Sequence, residues 1–282
     1  MKNYLAVDIG GSYIRYIAVI EEDEFRGKAI TKNIDIVSFL SVLIERYGIE
    51  KMVVSLAGQV FDGFIIASPN VDITNSFDFS GYFRSKYNIE VMLENDLNCA
   101  AVAEAGYFDA ENIAVVYSGS GIGAGVVDNG KIIRGFRNLA LELGHIPYKK
   151  APFRCGCGKN NCLELFASSS GIKKWLKLKG ADEGFTLNEI SLDPELKWIA
   201  DQYKEALVFG VSVVITLFNP EVVVLGGGII KSNEWLLNYV KQKLPEFALN
   251  VSLEGVNIEI SQLEDGSLEG ARILAEGRFD ES

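Results

Sequence analysis

The segment Cys155-Gly156-Cys157-Gly158-Lys159-Asn160-Asn161-Cys162 places three of the chain's four cysteines within eight residues, and the only histidine, His145, stands ten residues before the first of them. Three thiolates and one imidazole form the ligand set of a tetrahedral zinc site. A disulfide is the rival reading, yet three cysteines cannot all pair among themselves, and in a reducing compartment a close cysteine cluster favours metal. A lone histidine is ordinarily a satisfied polar residue; here it lies beside three thiols. His145, Cys155, Cys157 and Cys162 are therefore the candidate ligands of Zn2+. With four protein ligands the ion has no open position, so its role is structural.

Two glycine-rich turns suggest a second chemistry. In Asp8-Ile9-Gly10-Gly11-Ser12 the glycines let backbone N–H groups approach an anion, and Asp8 is placed to hold a water of a hydrated Mg2+. Alone, the stretch reads equally as a tight hairpin with an exposed aspartate. Its counterpart Ser118-Gly119-Ser120-Gly121-Ile122-Gly123-Ala124-Gly125 is denser and occupies the same place in a second repeat. That duplication weakens the reading as a flexible Gly/Ser turn. Two backbone cradles on facing lobes would grip the β- and γ-phosphates of a nucleotide. Neither stretch fits the Walker pattern or a dinucleotide fingerprint.

At Glu94-Asn95-Asp96 a strand predicted over 89–93 hands over to a helix beginning near Leu97. Asp96 suits a helix N-cap. An aspartate at a strand end above a cleft also suits the acceptor of a hydroxyl proton in phosphoryl transfer. Cys99, inside the helix, reads as a small core residue.

These residues need elements to position them. Tyr4 to Asp8 and Tyr13 to Ile20 read as strands around the first glycine turn, with a third strand near Phe25. Apolar residues at helical spacing from Asp35 to Tyr47 end at Gly48, and a strand follows from Met52 to Ala57. The second half repeats the order: strand, glycine turn and strand from Ile113, then a helix over 196–218 and a strand over 222–225 stopped by Gly226-Gly227-Gly228. Two similar lobes facing each other across a cleft is the simplest architecture. Residues 1–111 form the expected N-terminal lobe and 112–266 the C-terminal lobe, with a last helix over 267–282 crossing back to the first. The polar stretch from Gly180 to Asp193 reads as a surface loop or insertion.

Composition narrows the function. With 48% hydrophobic and 23% charged residues, the 282-residue chain is neither disordered nor membrane-like. Its longest apolar run, Ala206 to Phe218, is too short to span a bilayer. No apolar leader is evident, so a cytoplasmic protein is expected. A net charge of −11 disfavours nucleic acid, whose phosphates would repel it.

Together these residues resemble the ROK family (repressors, open reading frames and kinases), sugar kinases of the actin/hexokinase superfamily. The resemblance runs in order along nearly the whole chain. It rests on Asp8-Ile9-Gly10-Gly11-Ser12, Glu94-Asn95-Asp96 with Ala100-Ala101, Gly119 to Gly125, Glu142-Leu143-Gly144-His145, Cys155-Gly156-Cys157-Gly158 to Cys162-Leu163-Glu164, and Asn219-Pro220-Glu221 to Gly226-Gly227-Gly228. It implies a duplicated, two-lobed α/β fold of the ribonuclease H-like type with an interlobe cleft. It also implies ATP-dependent phosphorylation of a hexose hydroxyl, with Asp96 as general base. Asp8, Gly10, Gly11, Ser12, Gly119, Ser120, Gly121 and Gly123 would hold ATP with Mg2+, and Gly226, Gly227 and Gly228 would lie against adenosine. Asn70, Asn95, Glu142, His145 and Glu164 would contact sugar hydroxyls, the zinc holding His145 and, through Cys162, Glu164. A homodimer is implied as well.

Glucose, phosphorylated on its 6-hydroxyl, is the leading substrate; an N-acetylmannosamine kinase, fructokinase or β-glucoside kinase fits the same acceptor set. A non-catalytic, sugar-sensing regulator is the rival of another class. The family's repressors carry an additional DNA-binding domain, whereas this chain starts at the first strand, and retention of Asp8, Asp96 and both glycine turns favours an enzyme. Three departures stand out. Leu56-Ala57-Gly58-Gln59 replaces the usual Pro-Gly-Pro near the sugar, Asn161 a common glycine, and Ser12 a more frequent threonine.

Overall fold

The computed structural model describes residues 3–68, 71–73 and 75–279. The apolar start of the chain forms β1 (Tyr4–Ile9), buried along its whole length, and turns through Gly10-Gly11-Ser12 into β2 (Tyr13–Ile20) and β3 (Asp23–Ile30). Helix α1 (Ile36–Tyr47) begins at Asp35, whose side chain accepts from Ser38 N at 2.7 Å, and stops at Gly48 in the left-handed conformation. Next come β4 (Lys51–Leu56), the short strands β5 (Gln59–Phe61), β6 (Phe64–Ala67) and β7 (Phe77–Asp78), α2 (Phe79–Tyr87), β8 (Glu90–Asn95) and α3 (Asp96–Phe108).

The second series is β9 (Ile113–Ser118), β10 (Ile122–Asp128), β11 (Lys131–Ile132), α4 (Ser169–Lys179), α5 (Leu187–Leu192), α6 (Lys197–Phe218) and β12 (Val222–Gly226). It ends with α7 (Gly228–Lys231), α8 (Trp235–Lys243), α9 (Asn250–Leu253), β13 (Asn257–Ile260) and α10 (Gly266–Ala275). Among the described residues, no helix is long and apolar enough to cross a membrane.

The chain forms two compact units, one of Met1–Glu111, Asn129–Ala140 and Leu263–Ser282, the other of Asn112–Asp128 and Leu141–Gln262. The sheet of the first runs β3-β2-β1-β4-β8. Its hairpin is antiparallel, whereas β1–β4 and β4–β8 are parallel. In the second unit the strands run β10-β9-β12-β13, with β9–β10 antiparallel and β9–β12 and β12–β13 parallel. The same order of an antiparallel hairpin followed by parallel neighbours is thus built twice, and in both units the glycine turn follows the central strand, β1 or β9.

The polar stretch expected as an irregular loop contains α5. Thr186 accepts from Glu189 N while the Glu189 carboxylate accepts from Thr186 N and Oγ1, a capping box, and Leu187 and Ile190 are buried against α6. One inward pair per turn is enough to dock a short helix but too little to show as a period. The last helix ends at Ala275, earlier than expected, in a turn through Gly277 at φ +77°.

Candidate active site and metal centre

In the first unit, β1 ends with Asp8 flanked across the sheet by Arg15 on β2 and Ser55 on β4. Ser55 Oγ donates to Asp8 Oδ1 at 3.0 Å, and Arg15 Nη1 lies 3.7 Å from Asp8 Oδ2. Arg15 itself is held by Asp265, 2.5 Å away, at the start of α10. Burial raises the Asp8 carboxyl above the usual range, while Ser55 and Arg15 draw it back. The turn beyond Asp8 is fixed by Thr31, whose hydroxyl donates to Gly10 O at 2.7 Å and whose N–H donates to Ser12 O at 3.1 Å. Gly11 is half-buried and Ser12 exposed, so the turn presents its backbone outward.

At the end of β8 the cap is Asn95, not Asp96. Asn95 Oδ1 accepts from the backbone N–H groups of Leu97 and Asn98, and its amide nitrogen donates to Gly58 O at 3.0 Å. That leaves Asn95 with one N–H and no vacant strong acceptor for a ligand. Asp96, released from capping, occupies the first helical position. Its carboxyl is pushed up to about 7, first by burial and then by the charge of Asp8. Asn70, expected beside the sugar, lies outside the described residues.

Glu94, one residue before the cap, is 2% exposed and organises this corner. Its Oε1 accepts from Asn95 N, Asn98 Nδ2 and Asn138 Nδ2, and its Oε2 from Arg134 Nε at 2.6 Å. A buried carboxylate saturated in this way fixes its surroundings. Sequence reasoning missed Glu94 as a support because Arg134 and Asn138, which complete its partners, stand 40 and 44 residues on. Arg15 was legible in principle, since the four-residue turn between Ile9 and Ile14 sets the register that faces it to Asp8.

In the second unit the turn after β9 is anchored at its root: Ser118 Oγ donates to Ala167 O at 2.8 Å and accepts from Tyr203 OH at 3.0 Å. Gly119 and Ser120 carbonyls accept from Ser169 and Ser170 N–H. Gly226, Gly227 and Gly228 lie directly against it. Gly227 has φ +87°, and a Cβ there would stand 2.4 Å from Ser118 O. A Cβ on Gly121 would lie 2.7 Å from Glu164 Oε2, so that glycine gives the carboxylate its room. Gly123 lies in β10, beyond the turn.

The expected metal ligands converge. The ligand atoms of His145, Cys155, Cys157 and Cys162 all lie within 4.8 Å of one another. Cys155 Sγ is 3.6 Å from His145 Nδ1, and Cys157 Sγ is 3.4 Å from Cys162 Sγ. A tetrahedral ion bound at about 2.3 Å by thiolates needs neighbouring ligand atoms about 3.5–3.8 Å apart, so the donor set and its spacing fit zinc. The cysteines are not disulfide-bonded. Burial, with Glu164 beside it, pushes the Cys155 thiol up to about 12, a proton that a bound cation replaces.

His145 faces two ways. With Nδ1 turned to the sulfurs, its Nε2 lies 3.8 Å from Glu142 Oε2. Cys155 Sγ donates to Glu164 Oε1 at 3.1 Å. Glu142, His145 and Glu164 are therefore brought together around the cysteine–histidine cluster, with acceptors suited to hydroxyl groups.

The chain is 30% identical over 230 residues to a glucokinase of Halalkalibacterium halodurans, a match covering 71% of this chain and 67% of that protein. It is 28% identical over 265 residues to the xylose repressor of Bacillus subtilis, covering 85% and 68%. Its fold matches a glucokinase of Streptomyces griseus solved in complex with glucose and AMPPNP, with a TM-score of 0.76 at 24% identity over 98% of this chain and 99% of that one. The model of the ROK family matches residues 4–278, and with motifs, duplicated fold and whole-length match in agreement, the chain belongs to the ROK family.

Proposed function

We infer that the protein is an ATP-dependent sugar kinase that transfers the γ-phosphoryl group of ATP to a hexose hydroxyl, with the 6-hydroxyl of glucose the leading acceptor. The observation that carries this reading is Asp96: a carboxyl at the first turn of a helix, spared from capping by Asn95, with its proton affinity raised to about 7. A group of that affinity near neutral pH is suited to accept a proton. A sugar-sensing regulator would have no use for it.

Asp96 accepts the proton of the sugar hydroxyl as that oxygen forms its bond to the γ-phosphorus, and the bond from γ-phosphorus to the ADP oxygen breaks. The Gly10-Gly11-Ser12 and Gly119-Ser120-Gly121 turns hold phosphate oxygens by backbone N–H groups, and Gly226-Gly227-Gly228 lies against adenosine. Asp8 would hold a water of Mg2+, which neutralises charge on the β- and γ-phosphates when bound. Glu142, Glu164 and His145 Nε2 bind sugar hydroxyls, and Asn95 contributes a donor. Directed acceptors discriminate because a buried one left unpaired costs roughly 1–3 kcal/mol.

His145, Cys155, Cys157 and Cys162 would hold Zn2+, which supplies a fixed crosslink. Its value here is orientation of His145 and Glu164. Positioning and electrostatics, with water kept away, provide the rate. A cytoplasmic homodimer accompanies this reading. The test is a coupled ADP-release screen over hexoses and N-acetylhexosamines: sugar-dependent release with one of them is expected, and none above background with any would sink the kinase assignment.

A further inference from the structure

In a chain of net charge −11, three guanidinium groups gather at one place in the first unit. A cavity of about 600 Å3 lies against β8, the terminal strand of its sheet, lined by Ser80 and Arg84 of α2, Gly63 of the β5–β6 turn and Arg134. Arg137 stands at the same rim, 5.3 Å from the centre of the Phe61 ring that also lines the cavity. Two carboxylates face these cations. Glu94 is already paired with Arg134, and Asp62 sits exposed at the mouth. None of the residues assigned above to sugar or nucleotide lines this space.

The lining includes an unmet polar group. Ser80 is 2% exposed, and its hydroxyl has no hydrogen-bond partner among the described residues. A buried hydroxyl in that state is a standing cost that a bound acceptor removes. Gly63, at φ +79°, packs its backbone against this side chain, since a Cβ there would come within 2.9 Å of Ser80 Oγ.

We propose that this cavity is an effector site for a small phosphorylated polyol, the chemical class of the product of the reaction inferred above. Guanidinium forks match phosphate oxygens, and the Ser80 hydroxyl completes the donor set. Asp62 accepts from polyol hydroxyls, and Phe61 and the 95% exposed Phe136 offer apolar faces to the carbon skeleton. Only the ligand class rests on the kinase reading; the cavity does not.

Arg134 makes the site consequential. An anion that takes part of its guanidinium draws it from Glu94, which holds Asn95 N and Asn98 Nδ2 and so the turn carrying Asp96. Occupancy therefore inhibits turnover, and sugar does not relieve the inhibition.

The experiment uses the full chain saturated with its sugar and a non-hydrolysable ATP analogue, titrated calorimetrically with glucose 6-phosphate and, separately, inorganic phosphate. Saturable binding of glucose 6-phosphate with Kd below about 1 mM is expected, with inorganic phosphate at least about tenfold weaker. Arg84→Met and Ser80→Ala each weaken binding by about tenfold or more and abolish the inhibition, with uninhibited turnover unchanged. No binding to the saturated protein, or binding indifferent to both variants, overturns the proposal. Equal affinity for inorganic phosphate overturns the polyol phosphate class. If no sugar is turned over, the same titration without substrates still reads the cavity, which separates its failure from that of the kinase assignment.

Discussion

Cys155 Sγ donates to Glu164 Oε1 at 3.1 Å, so one sulfur of the cysteine–histidine cluster touches a carboxylate proposed to bind the sugar. Cys157, by contrast, is exposed and lies 3.4 Å from the sulfur of Cys162. Cys157→Ser should therefore remove the ion while leaving in place the side chain that touches Glu164. Zinc content by elemental analysis should fall from about one per chain to near zero, and KM for the sugar should rise about 10–100-fold, the scale for lost support of a bound ligand. KM for ATP should rise much less. Full metal retention, or equal loss toward both substrates, would contradict the role given to the quartet.

Asp96→Asn keeps the size of the side chain and removes the proton acceptor. Sugar binding should persist while kcat drops by at least about two orders of magnitude, the usual scale for a positioned base. Near-normal turnover would remove Asp96 from the mechanism.

The raised affinity of Asp96 for its proton has two pH signatures. Only the ionised form accepts a proton, so kcat should climb with pH and level off above about 7, a limb missing from Asp96→Asn. Stability should run the other way. Between the unfolded value of about 3.9 and the folded value of about 7, the native state keeps a proton that the unfolded chain has lost, so stability falls as pH rises through that window. Asp96→Asn abolishes this loss and should raise Tm at pH 8, measured by calorimetry. A lower Tm there would show that the wild-type carboxylate is stabilised by its site.

These predictions depend on features of unequal visibility. The hairpins, α1 with its Asp35 and Gly48 stops, and the duplicated order of strands follow from local pattern, because each apolar face repeats over several turns or pleats. Helix α5 does not, since Leu187 and Ile190 supply only one inward pair; its Thr186-to-Glu189 box was the available signal. The cap at Asn95 was ambiguous because Asn and Asp cap equally well, and the strand's extra reach decided it. The convergence of His145 with Cys155, Cys157 and Cys162 was legible because thiols are rare and their spacing is short. Glu94 with Arg134, and Arg15 with Asp265, were not, because such pairs exist only after strands and helices from distant segments have met.

Leu141 is a surprise of the opposite, local kind. It holds φ +64° immediately before Glu142, whose φ −65° and ψ 55° complete a tight turn closed by Leu143 N donating to Leu141 O. A left-handed leucine costs roughly 1–2 kcal/mol, and a β-branched residue there costs more. Leu141→Gly should change stability by less than about 1 kcal/mol, since relief of strain offsets lost burial and added chain entropy. Leu141→Val should destabilise by at least about 1 kcal/mol and raise KM for the sugar, because Glu142 follows the turn. Denaturant unfolding that ranks valine above glycine would refute the strain.

The corner carrying Asp96 is fixed from behind by α10. A Cβ on Gly270 would stand 1.8 Å from the carbonyl oxygen of Cys99 and 2.4 Å from its carbon, so α10 and α3 touch backbone to backbone. Ser267 Oγ adds a hydrogen bond to Asp96 O at 3.1 Å. Neither helix can retreat cheaply: α3 is buried from Asn98 through Ala105, and α10 buries Leu268, Ala271 and Leu274 and packs on β1 and β4. Gly270→Ala should therefore destabilise by at least about 2 kcal/mol, at the upper end for a single added methyl group in a packed interior. Because the shift reaches the first turn of α3, kcat should fall while KM for ATP changes little. Ser267→Ala, which removes the hydrogen bond and leaves the helices in contact, should cost only about 1 kcal/mol. Equal stability of the alanine variant at Gly270 and the wild type, measured by thermal unfolding, would show that α10 does not set the position of α3.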